Sequence, residues 1–249
     1  MEIGNNTTLQ RLLRWKNRHL GEKCLLLCNG PSLNKVDFHR VDKSDYVIFG
    51  LNKIYLGFDY LGVKPRYIAA VNKKVLEQSD DAYKGLNGVI KFIRYGVDES
   101  TLTADPTTFF METKKLPANS ERFSKDIVQY VREGHTVTHA ALQVIYYMGF
   151  TEVTIVGMDH YFAQHCRGRE NQTSVIAGDD IDHFDPDYFG NGKKWDLPNL
   201  EQSEIFYLAA RTAFEARGGK IIDCSIGGAC TIFEKRDIAS HLYTDSQRT

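Results

Sequence analysis

The sequence has no long hydrophobic run, almost no net charge and few cysteines. None of its apolar stretches approaches the roughly 20 residues that cross a bilayer, and the polar start at residues 1–10 has no signal-peptide core. A formal net charge of −1 gives no overall attraction to nucleic acid or to a membrane surface. The five cysteines are scattered and odd in number, which predicts reduced thiols. We therefore expect a cytoplasmic protein without an integral membrane segment.

Two common nucleotide-binding signatures are also absent. The chain has neither a G-x-G-x-x-G fingerprint after its first predicted strand nor a G-x-x-x-x-G-K-[ST] loop, which argues against an ordinary NAD site and a P-loop. The Asp-x-Asp pair typical of metal-bound nucleotide-sugar sites is missing from the predicted strand ends, and residues 185–187, which have this pattern, lie between predicted elements. We expect no metal and no cofactor, so backbone N–H groups, hydroxyls and a few cations would neutralise a bound phosphate.

Short apolar runs alternate with helical patterns along the chain. Amphipathic helices are predicted at residues 8–18, 136–148 and 200–217. The apolar runs predict strands at residues 24–28, 46–49, 67–71, 89–93, 152–156 and 220–223. This alternation is typical of an α/β, Rossmann-like, mostly parallel sheet with helices on both faces.

The length of 249 residues fits one domain, residues 1–249, with one large core. Residues 98–126 are polar and predict irregular structure. Residues 160–199 interrupt the α/β pattern with a long stretch rich in His, Asp, Tyr and Gly. A segment of that length inside a compact domain predicts a lid-like insertion that helps to bind the acceptor.

Asparagine follows three successive predicted strands, at the edge where a parallel sheet binds ligands. An amide group donates two hydrogen bonds and accepts others, so it can bind a sugar hydroxyl, a base edge or a phosphate, although asparagine is also an ordinary turn residue. After the first strand, the turn at residues 29–32 is expected to leave N–H groups free for a phosphate. The predicted nucleotide-binding residues at these strand ends are Asn29, Gly30, Pro31, Ser32, Asn52, Asn72, Gly157 and Asp159.

Residues 27–33, Leu-Cys-Asn-Gly-Pro-Ser-Leu, resemble the opening of bacterial sialyltransferases of glycosyltransferase family 42. Asn52 and Asn72 resemble that family's second-strand and third-strand asparagines. Residues 157–161, Gly-Met-Asp-His-Tyr, resemble its Gly-Ile-Asp-Phe-Tyr. Thr136 resembles the start of its Thr-Ser-Gly helix, so the resemblance adds Thr136 to the nucleotide site.

This ordered match spans about residues 24–162, but Val137 stands where the family has a serine that contacts the donor. A second resemblance covers more of the chain. It is to a broad group named after the archaeal 6-hydroxymethylpterin pyrophosphokinase, many of whose members sit among surface-polysaccharide proteins. Residues 183–190, His-Phe-Asp-Pro-Asp-Tyr-Phe-Gly, and residues 219–228 carry it.

The first resemblance implies a glycosyltransferase domain that moves a sugar from a CMP-activated donor to a surface glycan acceptor, by inversion and without a metal. Such a reaction needs a base, and histidine is the best one at neutral pH. The insertion offers His160, His165 and His183. We choose His183, because it lies beside Asp182 and Asp185, either of which could orient its ring.

Two tyrosines complete the predicted catalytic set. Tyr161 matches the family's tyrosine that binds the leaving phosphate, and Tyr188 would do similar work. His160, directly after a strand end, is interpreted as a positioning residue. His135 and His139 have the i, i+4 spacing of helical metal ligands, but no third ligand is evident, and we interpret them as residues at the helix start.

Two other functions remain compatible with the same residues. The second resemblance implies pyrophosphate transfer from ATP, with magnesium held by the acidic run at residues 179–182. A third possibility is a non-catalytic module that binds a nucleotide or a glycan. The related sialyltransferases assemble as oligomers, so the resemblance also allows a homo-oligomer. Cations that bracket the insertion and could attract an anionic substrate are Arg167, Arg169, Lys193 and Lys194.

Overall fold

The computed structural model describes residues 10–96, 105–162, 173–175 and 178–243. The strands are β1 Lys23–Leu27, β2 Tyr46–Leu51, β3 Tyr67–Ala70, β4 Ile90–Arg94, β5 Thr108–Met111, β6 Thr113–Lys114, β7 Val131–Arg132, β8 Glu152–Val156, β9 Thr173–Val175, β10 Lys194–Asp196, β11 Lys220–Asp223 and β12 Glu234–Lys235. The α-helices are α1 Lys73–Glu77, α2 Asp80–Gly85, α3 Val137–Tyr147, α4 Leu200–Glu215 and α5 Ile238–Leu242. Short 3-10 helices cover Leu13–Trp15, Pro31–Lys35 and Ile54–Gly57.

Eight strands form one sheet in the order β12-β11-β8-β1-β2-β3-β4-β5, and every pairing in it is parallel. The chain builds outward from β1 to β5 and then returns to the other side of β1 with β8. The strand order therefore reverses between β1 and β8. Crevices at such a reversal point are where open α/β sheets bind their ligands.

Helices cover both faces of the sheet, as the alternating pattern predicts. On one face, α3 and α4 bury Ala141, Tyr207 and Phe214 in a core that also contains Phe92 and Met111. On the other face, α1, α2 and α5 contribute to a second core with the inward residues of β1 and β3. The predicted fold class, a Rossmann-like α/β sheet covered on both faces, is confirmed.

Local residue chemistry sets the ends of α3, the helix nearest the site. Thr136 has extended backbone geometry, and its Oγ1 accepts a hydrogen bond from the Thr138 N–H at 3.2 Å, which makes it the N-cap. At the other end, Gly149 has φ +92°, a conformation that glycine adopts without steric cost. The predicted helix at residues 136–148 is therefore correct to within one residue at each end.

The structure corrects two expectations about the elements. Residues 98–126 were expected to be irregular, yet β5 lies among them and pairs with β4 along the edge of the sheet. Its four residues are all buried, but the run is too short for periodicity to distinguish it from a loop. Of the helix expected at 8–18, residues 10–12 are α-helical and lead into a 3-10 turn at Leu13–Trp15, so the helix ends earlier than expected. Residues 1–9 lie outside the described residues.

The insertion is only partly described. Within it, β9 and β10 pair antiparallel, and residues 178–190 pack against the sheet through Phe184, Tyr188 and Phe189, all of which are buried. The Phe184 N–H donates to the Asn29 carbonyl at 2.9 Å, which fixes this segment to the end of β1. Its role as a lid stays a prediction. Over the part of the chain that the structure describes, no helix is long and apolar enough to span a bilayer.

Candidate functional site

The ends of β1 and β8 meet through two glycines. A Cβ atom on Gly30 would lie 2.0 Å from Asp159 Oδ2, and one on Gly157 would lie 2.5 Å from the Cys28 carbonyl oxygen. Gly157 also has φ +75°, and the Gly30 N–H donates to the Gly157 carbonyl at 2.8 Å. Neither position has room for a side chain, so this close approach depends on glycine at both.

Two backbone donors of the first turn, at Gly30 and Ser32, are already used. The Ser32 N–H donates to both carboxylate oxygens of Asp159, at 3.1 and 3.2 Å, and the Ser32 hydroxyl donates to Oδ2 at 2.8 Å. Gly30 donates to Gly157, and Pro31 has no N–H. The N–H groups of Gly30 and Ser32 are therefore not free for a phosphate, contrary to expectation, and the Ser32 N–H is taken by the Asp159 carboxylate. Ser32 is buried and serves to hold Asp159.

A cavity of about 150 Å³ opens beside this contact, at the carboxyl edge of the sheet. It brings together nine of the residues predicted from sequence, which are Asn29, Gly30, Asn52, Thr136, Gly157, Asp159, Tyr161, His183 and Tyr188. Pro31, Ser32 and Asn72 do not line it. Residues from β1, β2, β8, α3 and the insertion therefore converge on one place although they are far apart in sequence.

Two asparagine side chains in the cavity wall have unsatisfied acceptors. Asn29 donates through Nδ2 to the Leu51 carbonyl at 3.1 Å and to the Tyr188 hydroxyl at 3.0 Å. The Oδ1 atoms of Asn29 and Asn52 are both buried, and neither has a hydrogen-bond partner within the described residues. Buried polar atoms are nearly always paired in native proteins. The two unpaired oxygens can therefore accept hydrogen bonds from the hydroxyl or amino groups of a ligand in this cavity.

His183 is held in a fixed orientation at the cavity. Its Nδ1 lies 2.8 Å from Asp180 Oδ2, and its ring stacks on the Tyr188 ring with centroids 4.1 Å apart and planes within 2°. The Asp180 side chain is fully buried and also accepts from the Phe189 and Asp182 N–H groups. With Nδ1–H donating to Asp180, the Nε2 lone pair is the position that can accept a proton.

The carboxylate at hydrogen-bond distance from His183 Nδ1 is therefore that of Asp180, whereas the sequence led us to expect Asp182 or Asp185. Burial alone would raise the pKa of Asp180, but the hydrogen bond and charge of His183, with two backbone N–H groups, hold it below its ordinary value. Asp180 thus stays ionised beside the imidazole. The sequence signal for this pair is a carboxylate three residues before a histidine. The sequence analysis instead considered that carboxylate, in the run at residues 179–182, as a magnesium ligand.

Lys53, directly after Asn52, is a buried residue that sequence analysis missed. It is 2% exposed, its Nζ donates to the Tyr188 carbonyl at 2.6 Å, and it lies 4.8 Å from the centre of the Phe189 ring. Burial, helped by the nearby charge of Lys193 and opposed by that of Asp180, lowers the pKa of Lys53 to about 8. Lysine is rarely buried, so nothing in the sequence marks it.

The remaining candidate residues have different surroundings. Tyr188 is fully buried and stacks behind His183, whereas Tyr161 is 63% exposed at the mouth of the cavity. His160 Nε2 lies 3.0 Å from Glu204 Oε1, a contact that connects the end of β8 to α4. His165, Arg167 and Arg169 lie outside the described residues.

Asn72 lies on a neighbouring cavity of about 660 Å³, which meets the smaller one along Thr136, Val137 and Pro198. Its Oδ1 accepts from the Val75 N–H at 3.2 Å and caps α1. The two cavities together offer the room that a nucleotide with an attached sugar needs, since ligand pockets commonly measure about 300–1,000 Å³.

A metal site is not preformed in the described ranges, where no group of three or more His, Cys, Asp or Glu side chains is arranged to hold an ion. In the acidic run at residues 179–182, both oxygens of Asp180 already accept hydrogen bonds. That the reaction needs no metal stays a prediction.

Comparisons with known proteins identify a family and two solved structures that this chain resembles. A family model described as 6-hydroxymethylpterin diphosphokinase MptE-like matches residues 1–165, whereas no curated protein matches the chain. The structure of the MAf glycosyltransferase from Magnetospirillum magneticum AMB-1 aligns with a TM-score of 0.58 and 13% identity, over 96% of this chain and 39% of that one. This chain therefore spans well under half of that protein, and the likeness shows a shared fold.

The sialyltransferase CstII from Campylobacter jejuni, solved with the substrate analogue cytidine-5'-monophosphate, aligns with a TM-score of 0.47 and 16% identity. That alignment covers 92% of this chain and 95% of that one. The matching family model is that of the second group that the sequence resembles.

Proposed function

The chain belongs to the 6-hydroxymethylpterin diphosphokinase MptE-like family, and we propose that it is a glycosyltransferase. In this proposal it transfers a sugar from a CMP-activated donor to a glycan acceptor by a single inverting displacement. Support comes from the fold, which is that of a glycosyltransferase structure, and from the ordered sequence resemblance to family 42. The observation that carries the proposal is the Asp180–His183 pair at a cavity lined by Asn29 and Asn52.

His183 acts as the general base. Asp180 holds Nδ1 at 2.8 Å and stabilises the imidazolium that forms when Nε2 takes the proton of the acceptor hydroxyl. The deprotonated oxygen attacks the anomeric carbon of the donor sugar, and the bond from that carbon to the nucleotide phosphate breaks. Proton transfer from a positioned base typically contributes about 10²–10⁴-fold to the rate.

The part of the cavity lined by Asn29 and Asn52 receives the nucleotide. The unpaired oxygens of Asn29 and Asn52 accept hydrogen bonds from ribose hydroxyls or from the amino group of the base. The N-terminus of α3, an 11-residue helix capped by Thr136, faces the same cavity and favours the negative charge of the leaving phosphate. Tyr161, exposed at the mouth, supplies a hydroxyl to that phosphate.

Calorimetric titration of the whole chain with CMP and with ATP tests this proposal. We expect CMP to bind more tightly than ATP, with an affinity that EDTA does not change. An Asn29→Ala variant should weaken CMP binding, and Asn87→Ala, at an exposed position outside the cavity, is the matched control. ATP binding that requires magnesium, together with no response to CMP, would contradict the proposal.

The family match itself favours a second candidate, magnesium-dependent transfer of diphosphate from ATP to a hydroxymethylpterin. The acidic residues of the run at 179–182 would then hold magnesium between the ATP phosphates. The same titration separates the two, because it compares the nucleotides with and without magnesium. Formation of AMP from ATP in the presence of the pterin would establish this second activity.

A further inference from the structure

A third cavity lies between the insertion and the segments that follow β1 and β2. It measures about 450 Å³ and shares no lining residue with the two cavities described above. Its volume lies within the range of small-molecule sites. Residues within the segments 34–39, 60–61 and 184–186 form its walls. A ligand bound here would therefore be separate from a nucleotide in the proposed donor site.

The lining of this cavity combines buried apolar side chains with one exposed aromatic ring. Phe38, Leu61 and Phe184 are buried, whereas Tyr60 is 56% exposed. The rings of Tyr60 and Phe184 lie with their centroids 6.4 Å apart. An exposed aromatic ring beside other apolar side chains offers dispersion contacts to the C–H groups of a ring-shaped ligand.

Hydrogen bonds hold the Tyr60 side chain and the wall behind it in place. The Tyr60 hydroxyl donates to Asp185 Oδ2 at 3.3 Å, and Asn34 Nδ2 donates to the Phe184 carbonyl at 2.7 Å. Burial, helped by the nearby charge of Asp185, raises the pKa of the Tyr60 phenol, so the phenol keeps the proton that it donates. Because the ring is already fixed, a ligand that packs on it pays less ordering entropy.

The polar groups of the cavity are mainly hydrogen-bond acceptors. Asp37 and Asp185 line it, and no lysine or arginine does so among the described residues. Each carboxylate already accepts one backbone N–H, at 3.1 Å and 2.9 Å respectively. An ionised carboxylate has about four acceptor positions, so both keep lone pairs for a ligand. These groups favour a ligand that supplies donors, and their charge disfavours an anionic one.

We infer that this cavity binds a neutral sugar, whose ring packs on Tyr60 and whose hydroxyl groups donate to Asp37 and Asp185. A sugar supplies both an apolar C–H face and several hydroxyl donors, which matches the two kinds of lining. A small ammonium ion would also supply donors, but it would leave most of the apolar lining uncovered. The inference goes beyond the proposed reaction, because no residue of the donor site contributes to it.

The position of the cavity connects it to the candidate site. Its wall at residues 184–186 directly follows His183, and the Pro186 carbonyl accepts from the Asp180 N–H at 2.8 Å. The Phe184 N–H donates to the Asn29 carbonyl at 2.9 Å. A sugar in this cavity would therefore be held against the same segment that fixes the Asp180–His183 pair.

Titration of the whole chain with glucose, galactose and N-acetylglucosamine, followed by protein NMR, tests the inference. We expect at least one of these sugars to shift the backbone amide signals of Leu61 and Asp185. CMP is absent, so failure of the proposed donor site would not change this result. No shift of these two signals by any of the sugars, or shifts confined to donor-site residues such as Gly157, would overturn the inference. A response to putrescine without a response to any sugar would also overturn it, in favour of an amine site.

Substitutions of Tyr60 test the contact with the ring. Tyr60→Leu should weaken sugar binding by about fivefold or more, because it removes the aromatic surface. Tyr60→Phe should keep most of the affinity, since it loses only the hydroxyl. Tyr130→Leu, at a partly exposed position that does not line this cavity, is the matched control. Wild-type affinity in Tyr60→Leu, or an equal loss in Tyr60→Phe, would overturn the inference.

Neutral variants of the two carboxylates test the contacts with the hydroxyl groups. Asp185→Asn and Asp37→Asn should each weaken sugar binding by roughly two- to fivefold, because hydrogen bonds to a charged acceptor are stronger than those to a neutral one. Asp59→Asn, at an exposed position next to Tyr60 that does not line the cavity, is the matched control. Unchanged sugar affinity in both variants would overturn the inference.

Discussion

Tyr188 contacts both Asn29, to which the proposal assigns nucleotide binding, and His183, to which it assigns proton transfer. Its hydroxyl accepts from Asn29 Nδ2 at 3.0 Å, and its ring stacks on His183 at 4.1 Å. Burial raises the pKa of the Tyr188 phenol, although the hydrogen bonds that it receives lower it in part. The phenol is therefore a neutral support for the imidazole rather than an acid or base.

His183→Asn should separate catalysis from nucleotide binding. Because the base is lost while the asparagine wall remains, we expect turnover to fall by about 10²–10⁴-fold and CMP affinity to stay near that of the wild type. Steady-state kinetics and calorimetry on the same preparation measure the two quantities. His39→Asn, at an exposed position outside this cavity, is the control. Loss of CMP binding together with turnover would make His183 a donor contact instead.

Lys53 gives a prediction about stability and pH. Its pKa is about 8 in the folded protein and 10.5 ordinarily, so above pH 8 the unfolded chain binds more protons at this residue. The contribution of Lys53 to stability therefore rises with pH between about 8 and 10.5. Compared with Lys53→Met, the wild type should gain up to about 3 kcal/mol across this window, at 1.36 kcal/mol per pKa unit.

Urea denaturation of both proteins at pH 7 and pH 10 measures that gain. Lys16→Met, at an exposed position, is the control and should show no comparable pH-dependent difference. A constant difference between wild type and Lys53→Met over the window would contradict the assignment of a buried, easily deprotonated amine behind Tyr188.

At the scale of elements, the contact between the ends of β1 and β8 depends on Gly30. A Cβ there meets Asp159 Oδ2 at 2.0 Å, so Gly30→Ala must displace the carboxylate that holds Ser32. We expect a loss of about 1–3 kcal/mol in unfolding free energy and weaker CMP binding. Gly85→Ala, in α2 with no atom within 4 Å of the new Cβ, is the control and should be neutral or stabilising. Wild-type stability and CMP affinity in Gly30→Ala would show that this contact tolerates a side chain.

The same elements show what the sequence can and cannot predict. Buried apolar runs such as β8 and β11 were predicted with their observed bounds, because a strand covered on both faces has an unbroken hydrophobic pattern. Because these residues follow the predicted strands, Asn29, Asn52 and Asp159 were also correctly predicted to lie at one edge of the sheet. The use of the Ser32 N–H by Asp159 was not predictable, since that contact joins residues 127 positions apart. The burial of Lys53 also depends on long-range packing.

At the scale of the whole molecule, the proposed donor site is made by the main sheet itself. Its residues lie at the ends of β1, β2 and β8 and at the start of α3, so the cavity disappears when the sheet unfolds. A ligand that binds only the folded protein stabilises it by mass action, by about 2.7 kcal/mol at 100 times its Kd. A change of 1 kcal/mol moves Tm by about 2–4 °C in a protein of this size.

CMP at 100 times its Kd should therefore raise Tm by roughly 5–10 °C in a thermal melt of the whole chain. At the same CMP concentration, Asn29→Ala should show a smaller rise, because its affinity is lower. EDTA should leave the CMP shift unchanged, whereas a shift by ATP that appears only with magnesium would favour diphosphate transfer. A Tm that does not respond to CMP would contradict CMP binding by the folded protein and with it the proposed donor site.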